Sequence, residues 1–359
     1  MTVVATTEPM VPAPGTLKYD LYRIKYIGGA SDHKLNFQSA FGLYSHRSGW
    51  GEVMKSVAPI HNPEGIHTDT FVERTFGWDT IEYKNTKVNY NKPWVGFVHN
   101  PPVVPDWYMM STRIGSIIES VSFKRCLKHC RGLYVLSDHL KDWLVTKVDV
   151  PVDTVYHPCP CNNLSYRFSF DAWESNKKKM LIDVGTWLRK QSTLRLLQPS
   201  DIRKVKLWPL GYQHGTTDRA RVKRYLYKEI DSLGINESKL NIVPELDGVS
   251  NQVYDSLLSN NIVLADYWDV SASNTILDCI ERATPIICPR LPAIVEYLSD
   301  DYPLLFNNVD DIENMLCDQS LIYKAHIHLK NILNTGKYST DSFINNLTNS
   351  NIYRNLTID

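Results

Sequence analysis

The sequence predicts an α/β chain of two parallel-sheet domains with a ligand cleft between them. Three observations carry this. Short apolar runs such as WVGFVH (Trp94 to His99) and KMLIDVG (Lys179 to Gly185) read as buried strands, and helical periodicity fills the intervals. The alternation halts over a polar, irregular stretch and then restarts, which gives two units in tandem. The chain has 359 residues, room for two domains at about 150 residues each.

In order, Met1 to Thr16 carries Pro9, Pro12 and Pro14 and reads as a disordered leader. Its first fifteen residues hold no Lys or Arg and no long apolar run, so no signal peptide is expected there. Residues 17–158 form the first domain. DLYRIKYIGG gives a strand over Asp20 to Ile27 that ends at Gly28-Gly29, and a helix is expected over Lys34 to Ser45. After the strand WVGFVH, Ile114, Ile117, Ile118 and Val121 recur at helical spacing, and Phe123, Cys126, Leu127 and Cys130 extend that stripe. GLYVLS is a strand, Asp138 is a candidate helix cap, and VDTVYH closes the domain.

Residues 159–178, with Asn162-Asn163 and a lysine run, read as a linker. Over residues 179–334, KMLIDVG, KVKLWPLG, NIVPEL, NIVLAD and TPIICP are strands. Helices are expected over Arg219 to Leu233, Asn251 to Ser259 and Asn274 to Ala283. Residues 335–359 are expected to cross back as a helix onto the first domain.

Composition narrows the function. Lys+Arg and Asp+Glu are both 39, so a broad basic surface for nucleic acid is excluded. Seven scattered cysteines do not make a secreted disulfide framework and point to reduced thiols in the cytoplasm. Cys126-Leu-Lys-His-Cys130 is at most half of a zinc site, and the gap of Cys159-Pro-Cys161 is too short for a zinc knuckle. No eighteen consecutive residues are apolar, so no stable membrane insertion is expected. No strict D-x-D occurs: Asp266 and Asp269 are one residue too far apart, as are Asp149 and Asp153 by more, so no metal site is assigned. The phosphate loop, H-E-x-x-H and G-x-S-x-G motifs are missing as well.

The most informative stretch is YWDVSASNTILDCIERATPIICPRLPAIVEY, which follows the strand NIVLAD. Ser273 or Asn274 is placed to cap a helix, with Ile276, Leu277, Ile280 and Ala283 toward the sheet and Asn274, Thr275, Asp278, Glu281 and Arg282 opposite. Ser271, Ser273, Asn274 and Thr275 then lie at a helix N-terminus, where backbone N–H groups and the dipole favour phosphate. Asp278 stands one turn in, where a carboxylate can accept from two ribose hydroxyls; ordinary capping plus a solvated acid is the plainer alternative. In DVGTWLRKQS, Gly185 permits a tight turn and Arg189-Lys190 suit a diphosphate, although a surface Arg-Lys pair would read the same. His99 ends a strand and is a candidate for binding a hydroxyl or acting as base. Asp106-Trp107-Tyr108 is a candidate acceptor wall.

These residues resemble the donor-binding region of GT-B glycosyltransferases, whose pattern runs S-x-x-E-G-x-G-x-x-x-L-E-A-M-A-x-G-x-P-V-I. Leu277-Asp278-Cys279-Ile280-Glu281-Arg282-Ala283-Thr284-Pro285-Ile286-Ile287 follows its second part. The stretch is most similar to a retaining group of bacteria and large DNA viruses with S-A-N-N-T-x-x-E-C-I-x-R-x-T-P in this place. The resemblance is specific over Lys179–Lys190 and Tyr267–Phe306. It implies two Rossmann-like domains in the GT-B arrangement and metal-independent hexosyl or pentosyl transfer, in glycan biosynthesis, from a UDP or GDP sugar to a glycan or other hydroxyl acceptor. It assigns the donor ribose to Asp278, the leaving diphosphate to Arg189 and Lys190, the transferred sugar to His99 and Asp269, and close backbone approach in the cleft to Gly28, Gly29 and Gly185. One departure stands: many retaining members carry a Glu eight residues before the ribose acid, a position held here by Val270, with Asp269 one residue out of register. Retention and inversion therefore both stay open. A GT-B-shaped sugar-nucleotide epimerase and a non-catalytic carbohydrate-binding scaffold are the alternatives.

Overall fold

A computed structural model describes residues 32–38, 50–78, 88–109, 113–159, 166–208 and 217–358. Gly28, Gly29 and the expected strand Asp20 to Ile27 lie outside the described residues. The first domain holds a sheet in the order β1 (Leu35–Asn36), β2 (Ile66–Asp69), β3 (Trp94–Val98), β4 (Cys130–Val135) and β5 (Val152–Thr154), all parallel. The helix expected from Lys34 is not how that segment starts. Leu35 and Phe37 are both buried while Asn36 between them is less so, an alternation that suits an edge strand.

The long stripe expected from Ile114 to Cys130 is two helices, Ile114–Glu119 and Val121–Leu127. Ser120 takes an extended backbone and its hydroxyl accepts from Phe123 N, so it starts the second helix rather than continuing the first. Val121 is consequently 82% exposed, and Cys130 belongs to β4. The next helix, Asp138–Leu144, is capped by Ser137, whose hydroxyl accepts from Leu140 N, and not by Asp138.

The second domain has the sheet order β11-β10-β9-β6-β7-β8, again all parallel. The strands are β6 (Met180–Val184), β7 (Arg203–Leu207), β8 (Glu245–Leu246), β9 (Ile262–Leu264), β10 (Ile286–Pro289) and β11 (Leu305–Phe306). The chain runs outward from β6 to β8 and then returns to β9 on the other side of β6. Carboxyl ends diverge at that reversal and leave a crevice for a ligand. The residues expected as a linker already contain part of this domain: Phe168 and Trp173, in and beside the helix Phe170–Ser175, are buried in its core.

The helix Asn274–Arg282 departs from the amphipathic expectation. Thr275, Asp278, Glu281 and Arg282 are buried along with its apolar side, and Asn274 is exposed. The helix ends at Ala283 in the left-handed conformation, with φ 53°.

At the carboxyl end of the chain, helices Thr340–Asn349 and Asn351–Asn355 pack on the first domain. Phe343, Leu347, Ile352, Tyr353 and Leu356 join a core with Leu35, Phe97 and Tyr134. Ile352 N donates to Asp153 Oδ2 (2.8 Å) at the end of β5. Gly132 in β4 makes this seat, because a Cβ there would stand 2.6 Å from Ile352 side-chain carbons. Gly132→Ala is expected to lose about 1–3 kcal/mol in urea unfolding, the usual cost of overpacking. An unchanged midpoint would show that the Asn351–Asn355 helix does not hold this position.

Candidate functional site

The crevice beyond β6 and β9 is built from two loops. Gly185 follows β6 with φ +85°, a conformation that L side chains rarely adopt. Its carbonyl accepts from Lys206 Nζ (2.6 Å), which also pairs with Asp183 (2.7 Å) in a buried ion pair. Burial lowers the Lys206 ammonium, while the Asp183 carboxylate favours its charged form. Glu229, wholly buried on the helix Thr217–Leu233, accepts from the backbone amides of Gln191 (2.7 Å) and Ser192 (2.9 Å). Burial raises its carboxyl and these hydrogen bonds oppose the rise. The turn that carries Arg189 and Lys190 is therefore fixed from beneath.

Arg189 is 9% exposed. Its Nε donates to Val184 O (3.2 Å), Nη1 to Trp187 O (3.4 Å) and Nη2 to Thr275 Oγ1 (3.0 Å). The guanidinium lies over the Tyr267 ring, 3.7 Å from its centroid. Among the described residues no carboxylate forms an ion pair with it, so every contact is to a neutral group. Lys190, with 26% of its side chain exposed, reaches Asp266 Oδ1 (3.5 Å) and the Trp268 ring. Burial raises the Asp266 carboxyl, and Lys190 and the Thr193 hydroxyl (2.7 Å) pull it back.

The second loop runs from Asp266 to the Asn274–Arg282 helix. Ser273 caps that helix by accepting from Ile276 N, and its hydroxyl is also bonded to the Tyr267 hydroxyl. Ser273, Thr275, Arg189 and Gly185 thus come together at the head of one nine-residue helix. Asp278 does not join them directly. Its carboxylate accepts from Tyr254 OH (3.1 Å) and Arg282 Nη1 (3.1 Å), and Arg282 Nη2 also holds Asp255 (2.7 Å).

Asp269 and Ser271 face the other domain. Asp269 Oδ2 accepts from Val103 N (3.0 Å), its Oδ1 lies 3.2 Å from His139 Nε2, and Ser271 Oγ meets Ser137 Oγ at 3.2 Å. Glu296 accepts from the amides of Asp138 (2.6 Å) and His139 (3.3 Å), and Tyr297 OH donates to Leu136 O (2.7 Å). His139, Glu73 and Glu229 were not singled out from the sequence. His139 alone carried a signal, two residues past the Ser that ends a strand and caps a helix.

The Asp269 hydrogen bond raises the His139 imidazole above its ordinary value, against the effect of burial. The stability from this pair is therefore complete below about pH 6.5 and is lost as pH rises through the higher folded value. The melting-temperature gap between the wild type and His139→Asn is expected to be widest near pH 6 and to close by about pH 9. A gap that does not change with pH would refute this pairing.

The expected acceptor wall is a clasp instead. Tyr108 is buried, stacks on Tyr225 (4.2 Å), accepts from Leu188 N (2.9 Å), and packs edge-on against Trp187. Trp107 meets Trp268 at 5.5 Å. These rings join the domains because the loop after β3 reaches across the crevice, which leaves Tyr108 covered by protein. His99 stands at the start of that loop, with its amide donating to Glu73.

Among the described residues, no three His, Cys, Asp or Glu side chains gather as a metal site. Cys126 Sγ accepts from Tyr90 N (3.2 Å) and Cys130 Sγ donates to Gly132 O (3.3 Å), so each thiol has its own partner. No helix among the described residues is long and apolar enough to cross a membrane.

Two parallel-sheet domains, clasped across a crevice at the strand reversal of the second, define the GT-B fold. No protein-family model matches the sequence, and no curated protein matches it. Solved structures do. A sucrose-phosphate synthase from Thermosynechococcus elongatus superposes with a TM-score of 0.57, over 85% of this chain and 77% of that one, at 12% identity. An α,α-trehalose-phosphate synthase (UDP-forming) from Burkholderia vietnamiensis gives 0.53 over 94% and 86%, at 13% identity. Anabaena HepE, in complex with UDP and glucose, gives 0.52 over 71% and 70%, at 9% identity.

Proposed function

We propose that this chain is a glycosyltransferase that moves a sugar from a nucleotide diphosphate sugar to a hydroxyl of a glycan or other acceptor. The observation that carries the reading is Arg189: a buried cation at the strand reversal, held by neutral groups and without a described carboxylate partner. Burying an unpaired charge is costly, and a bound anion offsets that cost. The solved structures of this fold that contain UDP and glucose, or UDP-glucose, support a nucleotide as that anion.

In the reaction, the bond from the sugar anomeric carbon to the diphosphate oxygen breaks and one to the acceptor oxygen forms. The acceptor proton leaves to a base, and negative charge grows on the diphosphate. Arg189, Lys190 and the amides at the Ser273-Asn274-Thr275 helix start would receive that charge. This cation set supports a reaction that requires no metal ion. Asp278, paired with Arg282, would hold the ribose. His99 and Asp269 would face the transferred sugar, and Ser271 with Ser137 would close the cleft against water. The odd, scattered set of seven cysteines in the sequence supports a reducing compartment, the cytoplasm.

The test is calorimetry with UDP and GDP on the wild type, Lys190→Ala and Asp278→Asn. The Asn variant keeps its oxygen for Arg282 and its NH2 can donate to the Tyr254 hydroxyl, so the fold is preserved. Each substitution is expected to weaken binding by about 1–3 kcal/mol, the scale of a lost charged hydrogen bond. A wild-type chain that binds neither nucleotide overturns the proposal.

A further inference from the structure

We propose that Glu73 is the positioning residue that sets which nitrogen of His99 carries the proton; this rests on the transferase reading, in which His99 meets the sugar. Glu73 is wholly buried, four residues past β2 and just ahead of the wide helical turn Arg74–Trp78. Its Oε1 accepts from both His99 N (2.7 Å) and Asn100 N (2.6 Å), where the chain leaves β3. One carboxylate oxygen thus fixes the backbone at the mouth of the crevice.

The other oxygen has a different task. Glu73 Oε2 is buried, accepts no hydrogen bond among the described residues, and stands 3.7 Å from His99 Nδ1. A buried carboxylate oxygen with no donor is costly, and a proton on Nδ1 is the nearest remedy. The gap is longer than a hydrogen bond, as such contacts commonly are before a substrate binds. With Nδ1 protonated toward Glu73, Nε2 is left with a lone pair. That nitrogen can then accept from a sugar hydroxyl.

Two further rings border the His99 imidazole. The Phe71 ring lies 4.6 Å from the His99 ring and offers no hydrogen-bonding atom. His157, the other imidazole facing this space, donates through Nδ1 to Pro158 O (2.8 Å), and burial pushes it down to about 4. His157 therefore stays neutral and does not compete for the proton.

A purely structural clamp would need Oε1 alone. Glu73→Gln separates the two roles, because its carbonyl can still accept from both amides while its NH2 donates toward Nδ1 and forces the proton onto Nε2. The experiment is 15N NMR of histidine-labelled full-length protein at about pH 8, above the ordinary imidazole range, with His99→Gln to assign the signals. The wild type is expected to show His99 protonated on Nδ1, and Glu73→Gln on Nε2. Turnover is expected to fall about 10–100-fold in Glu73→Gln, while donor KM and nucleotide Kd stay within about threefold, the pattern of an interaction used in the transition state. An Nε2-protonated wild type, an unchanged tautomer in the variant, or equal losses in Kd and kcat would overturn the assignment. Failure of the wild type to bind any nucleotide would refute the transferase reading, and the tautomer result would still decide the role of Glu73.

Discussion

Arg189→Ala is expected to lower kcat by about 10²–10³-fold, the scale seen when one preorganised donor to developing charge is removed. The prediction has a second arm in stability. The free protein is expected to melt at nearly the wild-type temperature, because the loss of three hydrogen bonds is offset by release of a buried cation that has no described carboxylate partner. The wild type should gain stability on saturation with nucleotide, and Arg189→Ala should lose most of that gain. Differential scanning calorimetry with and without nucleotide reads both arms. Arg189→Lys should recover little, since an ammonium cannot reach Val184, Trp187 and Thr275 together. An Arg189→Ala variant that melts far below the wild type without nucleotide, and binds nucleotide as well, would make Arg189 a structural residue.

Glu229→Ala should produce the largest loss of stability near the site. It strips the acceptor from two buried amides, Gln191 N and Ser192 N, at about 1–3 kcal/mol for each orphaned group. The melting temperature is expected to fall by about 5–15 °C for a domain of this size. Nucleotide affinity should fall as well, because the turn beneath Arg189 and Lys190 is released. Glu229→Gln keeps one acceptor oxygen but turns its NH2 toward the other amide, so it should recover only part of both properties. A Glu229→Ala protein with wild-type melting would mean that the turn is held by Lys206 and Thr275 alone.

The strands were the most legible part of the fold. Trp94–Val98 and Ile286–Pro289 carry no charged or hydroxyl side chain, and Met180–Val184 is interrupted only by Asp183, because both faces of a parallel sheet are covered. Boundaries set by a single polar residue were harder to read. Ser120 and Ser137 decide where helices start, and nothing in the local pattern says which of several polar residues will do so. The site divided along the same line. Arg189, Ser273 and Thr275 sit within two short segments, so spacing could bring them together. Glu73 and Glu229 act on residues 26 and 38 positions away, and His139 acts on Asp269 across 130. Such pairings belong to topology and leave no local trace. Asp278 was placed on a polar face opposite the sheet, whereas from Thr275 to Arg282 the helix is buried and its acid is matched by Arg282 from within.

The return of Phe343, Leu347, Ile352 and Leu356 to the first domain bears on how the molecule is made. During synthesis the first sheet emerges well before the helices that cover it. The part of its apolar face that they cover stays open while the entire second domain is translated, an interval on the order of ten seconds or more at typical elongation rates. The first domain is therefore completed last, and the nascent chain meets the cell with that face uncovered.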